Sequence, residues 1–342
     1  MKLYAGTYEG ASKPGIHRFR YDAASGAVEY EEGYAGVERP SFLIANRGGT
    51  ALYAVSEQAN GEVHAFAIRP DGSLAPLGAR ATGGADPCHL ALSADEKRLF
   101  VSNYSGGSVA VFPVLPDGSL GERASLSVHE GKGARPDRQE GPHPHAVYVA
   151  PGGRRLIVPD LGIDRLVVYD VTADAFERTG TIGLPDGAGP RHMAFHPTLP
   201  VAYVVNELAS SVSTFVWEGA DPSAATPRDH VTTLPDEFDG ENYCADIHVS
   251  SDGRFVYASN RGHDSLAIYR AEAEGRLAPA GFAPIGARTP RNFAIAPDGR
   301  HVLAAAQDSD AIVVFAADAA TGGLEETYRY DGVRRPVCLA FA

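Results

Sequence analysis

The sequence predicts an all-β fold, a seven-bladed β-propeller, on three observations. One pattern of short apolar strands and tight turns recurs about every 50 residues. No stretch carries a helical period. The chain starts inside one copy of the pattern and stops inside another. Together these describe a ring of blades, each of four antiparallel strands, in a single domain over residues 1–342.

The copies justify the elements in order. They are RPSFLIANRGGTALYAVSEQANGEVHAF, PCHLALSADEKRLFVSNYSGGSVAVF, PHAVYVAPGGRRLIVPDLGIDRLVVY, PRHMAFHPTLPVAYVVNELASSVSTF, CADIHVSSDGRFVYASNRGHDSLAIY and PRNFAIAPDGRHVLAAAQDSDAIVVF. Each reads as an apolar strand, a turn, a second apolar strand, a polar loop and an alternating third strand that ends in an aromatic. Period-2 alternation, β-branched residues and Gly/Asp/Pro turns specify strands. Turns such as PDGSL, at 70–74 and 116–120, lead into a fourth strand. Their Asp and Gly residues are read as turn chemistry. MKLYAGTY at the start matches a second strand without its first, and RPVCLAFA at the end matches a first strand and then stops. Pairing the C-terminal strand with the N-terminal strand makes the seventh blade and closes the ring without free edges.

Composition narrows the functions. A net charge of −13 argues against a general nucleic-acid or anionic-membrane surface. No apolar run approaches the roughly 20 residues of a membrane helix. Cys88, Cys244 and Cys338 are odd in number and far apart, so neither a disulfide framework nor a metal-binding pair is expected. The first fifteen residues have no hydrophobic signal region. The expectation is a cytoplasmic protein, monomeric or weakly dimeric, with a small-molecule partner and no cofactor.

The repeat also says which residues share a face. In a blade the start of the innermost strand and the end of the second lie at the same mouth of the channel. The first column reads Ser41, Cys88, His145, Arg191, Ala245, Arg291, Val337, and the next Phe42, His89, Ala146, His192, Asp246, Asn292, Cys338. The column after the second strand reads Tyr8, Glu57, Tyr104, Leu161, Glu207, Arg261, Gln307. These positions are polar and differ between blades, whereas packing alone would make them alike. His, Glu and Arg converging on one funnel suit an anionic or oxygen-rich ligand. The segments 121–142 and 218–243 join an outer strand to the next inner one and are candidate lids. Asn103, Asp160, Asn206 and Asn260 fill one column and are read as structural. Arg154, Arg254 and Arg300 come after turns on the opposite face and are read as solvated.

Several motifs together resemble the seven-bladed propeller lactonases, whose best-known activity is 6-phosphogluconolactonase. They are Asn103-Tyr104-Ser105-Gly106-Gly107-Ser108, Arg138-Gln139-Glu140 before His143-Pro144-His145, Pro159-Asp160-Leu161-Gly162, Gly189-Pro190-Arg191-His192, Asn206-Glu207-Leu208, Asn260-Arg261-Gly262-His263-Asp264 and Pro290-Arg291-Asn292-Phe293. The family is similar to fungal enzymes that lactonise carboxymuconate. The resemblance implies an active site of one His, two Arg and one Glu, which by motif are His145, Arg191, Arg261 and Glu207. A lactonase needs a positioned water, a general base and positive charge at the carbonyl oxygen. Glu207 or His145 is the base, and Arg191 and Arg261 bind the oxyanion and anchor the sugar lactone. His143, His89, Asp246, Arg291, Glu57 and Tyr104 are candidate substrate-binding residues. A phosphate, where present, falls to Arg191, Arg261, Arg291, Lys132 or Arg138. No metal is expected, since an arginine-rich mouth disfavours a cation. The other readings are an unphosphorylated sugar lactone such as glucono-1,5-lactone, a muconate-type cycloisomerase, and a non-catalytic binding propeller. No G-x-S-x-G elbow or H-E-x-x-H motif offers another route.

Overall fold

A computed structural model of the chain describes residues 1–172, 175–219 and 221–342. It contains seven four-stranded antiparallel sheets. The alternating pattern is realised blade by blade: 43–81, 87–128, 148–183, 190–232, 243–284 and 290–331. The remaining blade combines Lys2–Thr7, Ile16–Tyr21 and Val28–Tyr34 with the last strand, Pro336–Phe341. That last strand is innermost and runs antiparallel to the first, with Leu3 opposite Phe341 and Gly6 opposite Cys338. Ring closure by the two termini is therefore as expected.

The core is not one mass. Seven apolar clusters lie one at each junction between neighbouring blades. One joins Leu166, Val168 and Ile157 to Val204, Ala202 and Phe215. Tyrosines of the second strands tie four of these junctions at a turn of the next blade. Tyr4 donates to the Gly72 carbonyl at 2.6 Å, Tyr53 to Gly118 at 3.0 Å, Tyr203 to Gly275 at 2.9 Å and Tyr257 to Gly322 at 3.0 Å. Each such bond stabilises by about 1 kcal/mol. Gly72 and Gly118 sit at φ 87° and 84°, so the PDGSL turns need glycine there. Asp71 and Asp117 accept from the Ser73 and Ser119 amides, as turn chemistry requires.

The two lid candidates need correction. Segment 121–142 contains the outermost strand Ser125–Val128, and 218–243 contains Thr226–Thr232; position 220 lies outside the described residues. An outermost strand faces solvent on most of its length and lacks the apolar alternation that marks the inner three. Only the connections beyond those strands reach the mouth. Arg154, Arg254 and Arg300 are exposed.

Candidate active site

Bulges aim the site residues. The pairing of innermost with second strand shifts register between Pro190 and His192, between Pro87 and His89, and between Pro290 and Asn292. The skipped residues are Arg191, Cys88 and Arg291. An extra residue in one strand bends it and redirects a side chain. The blade with His145 solves the same problem differently. Its innermost strand begins only at Tyr148, because Pro142 and Pro144 have no N–H to pair. His145 is held instead by its amide, which donates to the Pro159 carbonyl at 2.9 Å.

Glu207 is the centre. It is 4% exposed, and three guanidiniums surround it. Arg191 Nε lies 2.9 Å and Arg261 Nη2 3.0 Å from its Oε2, and Arg138 Nη2 lies 2.6 Å from its Oε1. His145 Nε2 stands 4.0 Å from Oε2. Burial opposes ionisation of this carboxyl, but Arg261, Arg191 and Arg138 outweigh it and hold the group at about 2. Arg191, 2% exposed, is pushed down to about 10 by burial and by Arg291 and Arg261, yet remains a cation at neutral pH. Its Nη1 also donates to the Ala245 carbonyl. Arg261 donates from Nη2 to the Cys244 carbonyl at 2.9 Å and from Nε to Tyr243 at 3.3 Å. Burial first, then Arg191, His192 and Arg291, holds His145 well below the ordinary imidazole range. It is a neutral base at physiological pH.

A small hollow of ≈ 10 Å³ lies against His145, Arg191, Arg291, Glu57, Ser41 and Cys88. That is room for about one water. Glu57 accepts from Tyr8 at 3.0 Å and from Ser41. Cys88 faces His145 Nδ1 at 3.9 Å, but burial pushes its thiol up to about 12, so it is no thiolate nucleophile. Arg138 comes from the connection after Ser125–Val128 and lies 5.5 Å over the Tyr243 ring. Its neighbour Gln139, fully buried, anchors that connection on the Leu161 carbonyl and Asp164, each at 2.8 Å.

The structure thus brings together His145, Arg191, Glu207 and Arg261, with Arg291 and Glu57 beside them. Tyr104 packs edge-on against His145 at 5.2 Å and stacks on His143 at 4.5 Å. His143 is turned to the Tyr104 carbonyl and Glu140, each at 3.1 Å, one step out from Glu207. His89 and Asp246 are elsewhere. They line a cavity of ≈ 940 Å³ at the opposite end of the channel, with Phe42, Tyr148, His192 and His248. Phe42, His192 and Asn292 of the same column reach both this cavity and the small hollow, whereas His89 and Asp246 line only the cavity. The column Asn103, Asn206, Asn260 and Asp160 is buried and structural: the three amides donate to Ser108, Ser211 and Ser265, and Asp160 accepts from the His143 and Gly162 amides. Among the described residues no three His, Cys, Asp or Glu side chains cluster as a metal site. Sequence reasoning left Arg138 outside the primary set because its segment has no repeat counterpart. Its only signal was the motif before His143.

Comparisons with known proteins show the family. Residues 2–341 match the model of a family described as lactonase, 7-bladed beta-propeller. The chain belongs to the seven-bladed β-propeller lactonase family. Among curated relatives, a 6-phosphogluconolactonase of Bacillus subtilis is 34% identical over 344 residues, covering 99% of this chain and 97% of the relative. A 6-phosphogluconolactonase of Formosa agariphila is 31% identical over 324 residues, with 91% of each chain covered. Among solved structures, a periplasmic gluconolactonase of Pseudomonas aeruginosa superposes with a TM-score of 0.92 at 32% identity, covering 99% of this chain and 98% of that one. Among the described residues no helix is long and apolar enough to cross a membrane.

Proposed function

We propose that this chain hydrolyses a sugar δ-lactone, with 6-phosphogluconolactone as substrate and 6-phosphogluconate as product. The observation that carries the reading is one buried carboxylate, Glu207, gripped by three guanidiniums, with the neutral His145 imidazole 4.0 Å away. Two relatives named for this activity support it. His145 takes a proton from water as the water attacks the lactone carbonyl. The bond from water oxygen to carbon forms, and the carbonyl electron pair moves onto oxygen. Arg191 and Arg261 stabilise that oxyanion, being preorganised by Glu207 rather than by solvent. The oxyanion collapses, the ring C–O bond breaks, and the His145 proton passes to the departing hydroxyl. Glu207 is a poor base because its negative charge is already neutralised. We assign it to orienting the arginines.

No step calls on a metal. A phosphorylated substrate fits a cytoplasmic enzyme of the pentose phosphate pathway. The periplasmic gluconolactonase neighbour favours a second reading, glucono-1,5-lactone. Proton release in weak buffer distinguishes them, with each lactone freshly made and the spontaneous rate subtracted. The expected result is acceleration of both with preference for the phosphorylated one. If neither is accelerated, the lactonase reading falls.

A further inference from the structure

Two arginines at this mouth are not spent on Glu207. Arg291 lines the small hollow, half-buried, and among the described residues its guanidinium makes no hydrogen bond and no ion pair. It lies over the face of Tyr8, 5.3 Å from the ring centroid. Arg335 does the same from the exposed rim, also at 5.3 Å from that ring and also without an ion pair among the described residues. Its neighbour Arg334, by contrast, pairs with Glu9 at 3.2 Å. Burying part of a cation without a partner is unfavourable. Arg138, Arg191 and Arg261 avoid that cost by sharing Glu207; Arg291 does not.

The backbone sharpens the point at Arg335. Shortly before an innermost strand the chain turns through the left-handed region. Asp86 and Arg39 occupy this position at φ 52° and 44°, and so do three others, Gly189 at φ 64°, Thr289 at φ 59° and Arg335 at φ 45°. In the last three the amide donates to an aspartate, Asp164, Asp264 or Asp310, at 2.8 Å. The turn is complete whatever side chain stands there, and glycine is the least strained choice. An arginine at this position is not explained by the turn. Its side chain reaches the Tyr8 ring, and its carbonyl accepts from the Tyr8 amide at 3.2 Å. Tyr8 is itself anchored through its hydroxyl on Glu57 at 3.0 Å.

The charges at this mouth are unlike those of the whole chain. Five guanidiniums, of Arg138, Arg191, Arg261, Arg291 and Arg335, face two carboxylates, Glu57 and Glu207, in a protein of net charge −13. A recess of one sign within a protein of the other concentrates oppositely charged ligands. Glu57 supplies the complementary element, a carboxylate already accepting from two hydroxyls and suited to accept from those of a sugar.

We propose that Arg291 and Arg335, both packed on Tyr8, form the subsite for a phosphate monoester at the end of the substrate remote from the lactone carbonyl. This rests on the lactonase reading above and adds the residues that select a phosphorylated sugar. A phosphate has three charged oxygens and matches the fork of each guanidinium. The reacting carbonyl stays at His145, Arg191 and Arg261.

The test separates binding from turnover. Titration calorimetry of the full chain with 6-phosphogluconate and with gluconate needs no catalysis. The expected result is a preference for the phosphorylated acid of about tenfold or more, with inorganic phosphate competing. Arg335→Gln, at an exposed position, lowers that preference about threefold; Arg291→Gln removes it and Arg291→Lys restores part of it. The ratio of kcat/KM between the two lactones falls in the same order. Equal binding of the two acids by the wild type overturns the proposal, as does equal weakening of both by the variants. Tighter binding of 6-phosphogluconate without hydrolysis of either lactone keeps the subsite and removes the lactonase reading instead. Thermal melting of each variant reports whether it is folded.

Discussion

The two ends of the channel are built from adjacent columns of one repeat, yet they hold opposite chemistry. At one end Glu207 and its arginines are charged and multiply bonded, and Arg191 among them lines a hollow of ≈ 10 Å³. At the other, a cavity of ≈ 940 Å³ is lined by aromatic rings and by the imidazoles His89, His192 and His248. There His89 stacks on Phe42 at 4.0 Å, and burial holds it well below the ordinary imidazole range. The carboxylate at this end, Asp246, accepts from His192 at 2.8 Å, His248 at 3.0 Å, Asn292 at 2.6 Å and two backbone amides. Both carboxylates are buried, but only Glu207 is bound by permanent cations. The lesson is that the larger opening is not where charge is arranged for a reaction. A single-residue bulge turns Arg191 toward Glu207, while the next residue, His192, lies between the two ends and bonds Asp246 at 2.8 Å.

Breaking Glu207 tests the comparison most severely. Glu207→Gln leaves Arg191 buried without a counter-charge. The expected cost is about 3–5 kcal/mol in denaturant unfolding, and lactone hydrolysis falls to the spontaneous rate. His145→Gln is milder for the fold. It lowers kcat roughly 10²–10⁴-fold with little change in the unfolding midpoint, measured on the same preparation. Asp246→Asn strikes the opposite end. An amide cannot accept from all five donors, so stability drops by about 3 kcal/mol, while kcat changes less than tenfold. A larger kcat effect there would show that the two ends act together.

Acid should act in two windows, one for the imidazoles and one for the carboxylates. His192, at about 4 against an ordinary 6.5, stays neutral in the fold while the unfolded chain binds a proton. Burial, then Arg191, is the cause; His89 and His145 are lowered in the same sense, while Asp246 raises His248 against burial and partly offsets them. Stability from His192 is present above pH 6.5 and is lost as pH falls toward 4. Glu207, ordinarily near 4.5 and held at about 2, contributes stability above pH 4.5 that is lost between there and pH 2, about 3 kcal/mol in all. Urea midpoints against pH should show two steps, the lower one reduced in Glu207→Gln but not abolished, since Asp246, held well below the ordinary carboxylate range although burial opposes it, also loses its stability in acid. The smallest expected effect is that of a chelator, which should leave the hydrolysis rate unchanged. A loss would bring a metal into the mechanism.

The sequence by itself determined the ring. Alternation along strands, turns at a fixed spacing and termini that supply complementary halves of one blade are local patterns, and a blade buries its strands by local pairing. The repeat also placed His145, Arg191, Glu207 and Arg261 on one face among other candidates, since it converts sequence position into position on a face, and the resemblance to the lactonases singled out those four. Three things only the tertiary structure decided. Alignment cannot show a bulge, so the separation of His89 and Asp246 from Arg191 was hidden. Arg138 lies in a connection with no counterpart in the other blades, and its contact with Glu207 spans 69 residues of sequence. The proposed choice of base rests on which groups share Glu207. Three guanidiniums within 3.0 Å make it a counter-ion, and burial among those same charges keeps His145 unprotonated. Burial and the proximity of charges across blades set protonation, and neither is written in the order of residues along the chain.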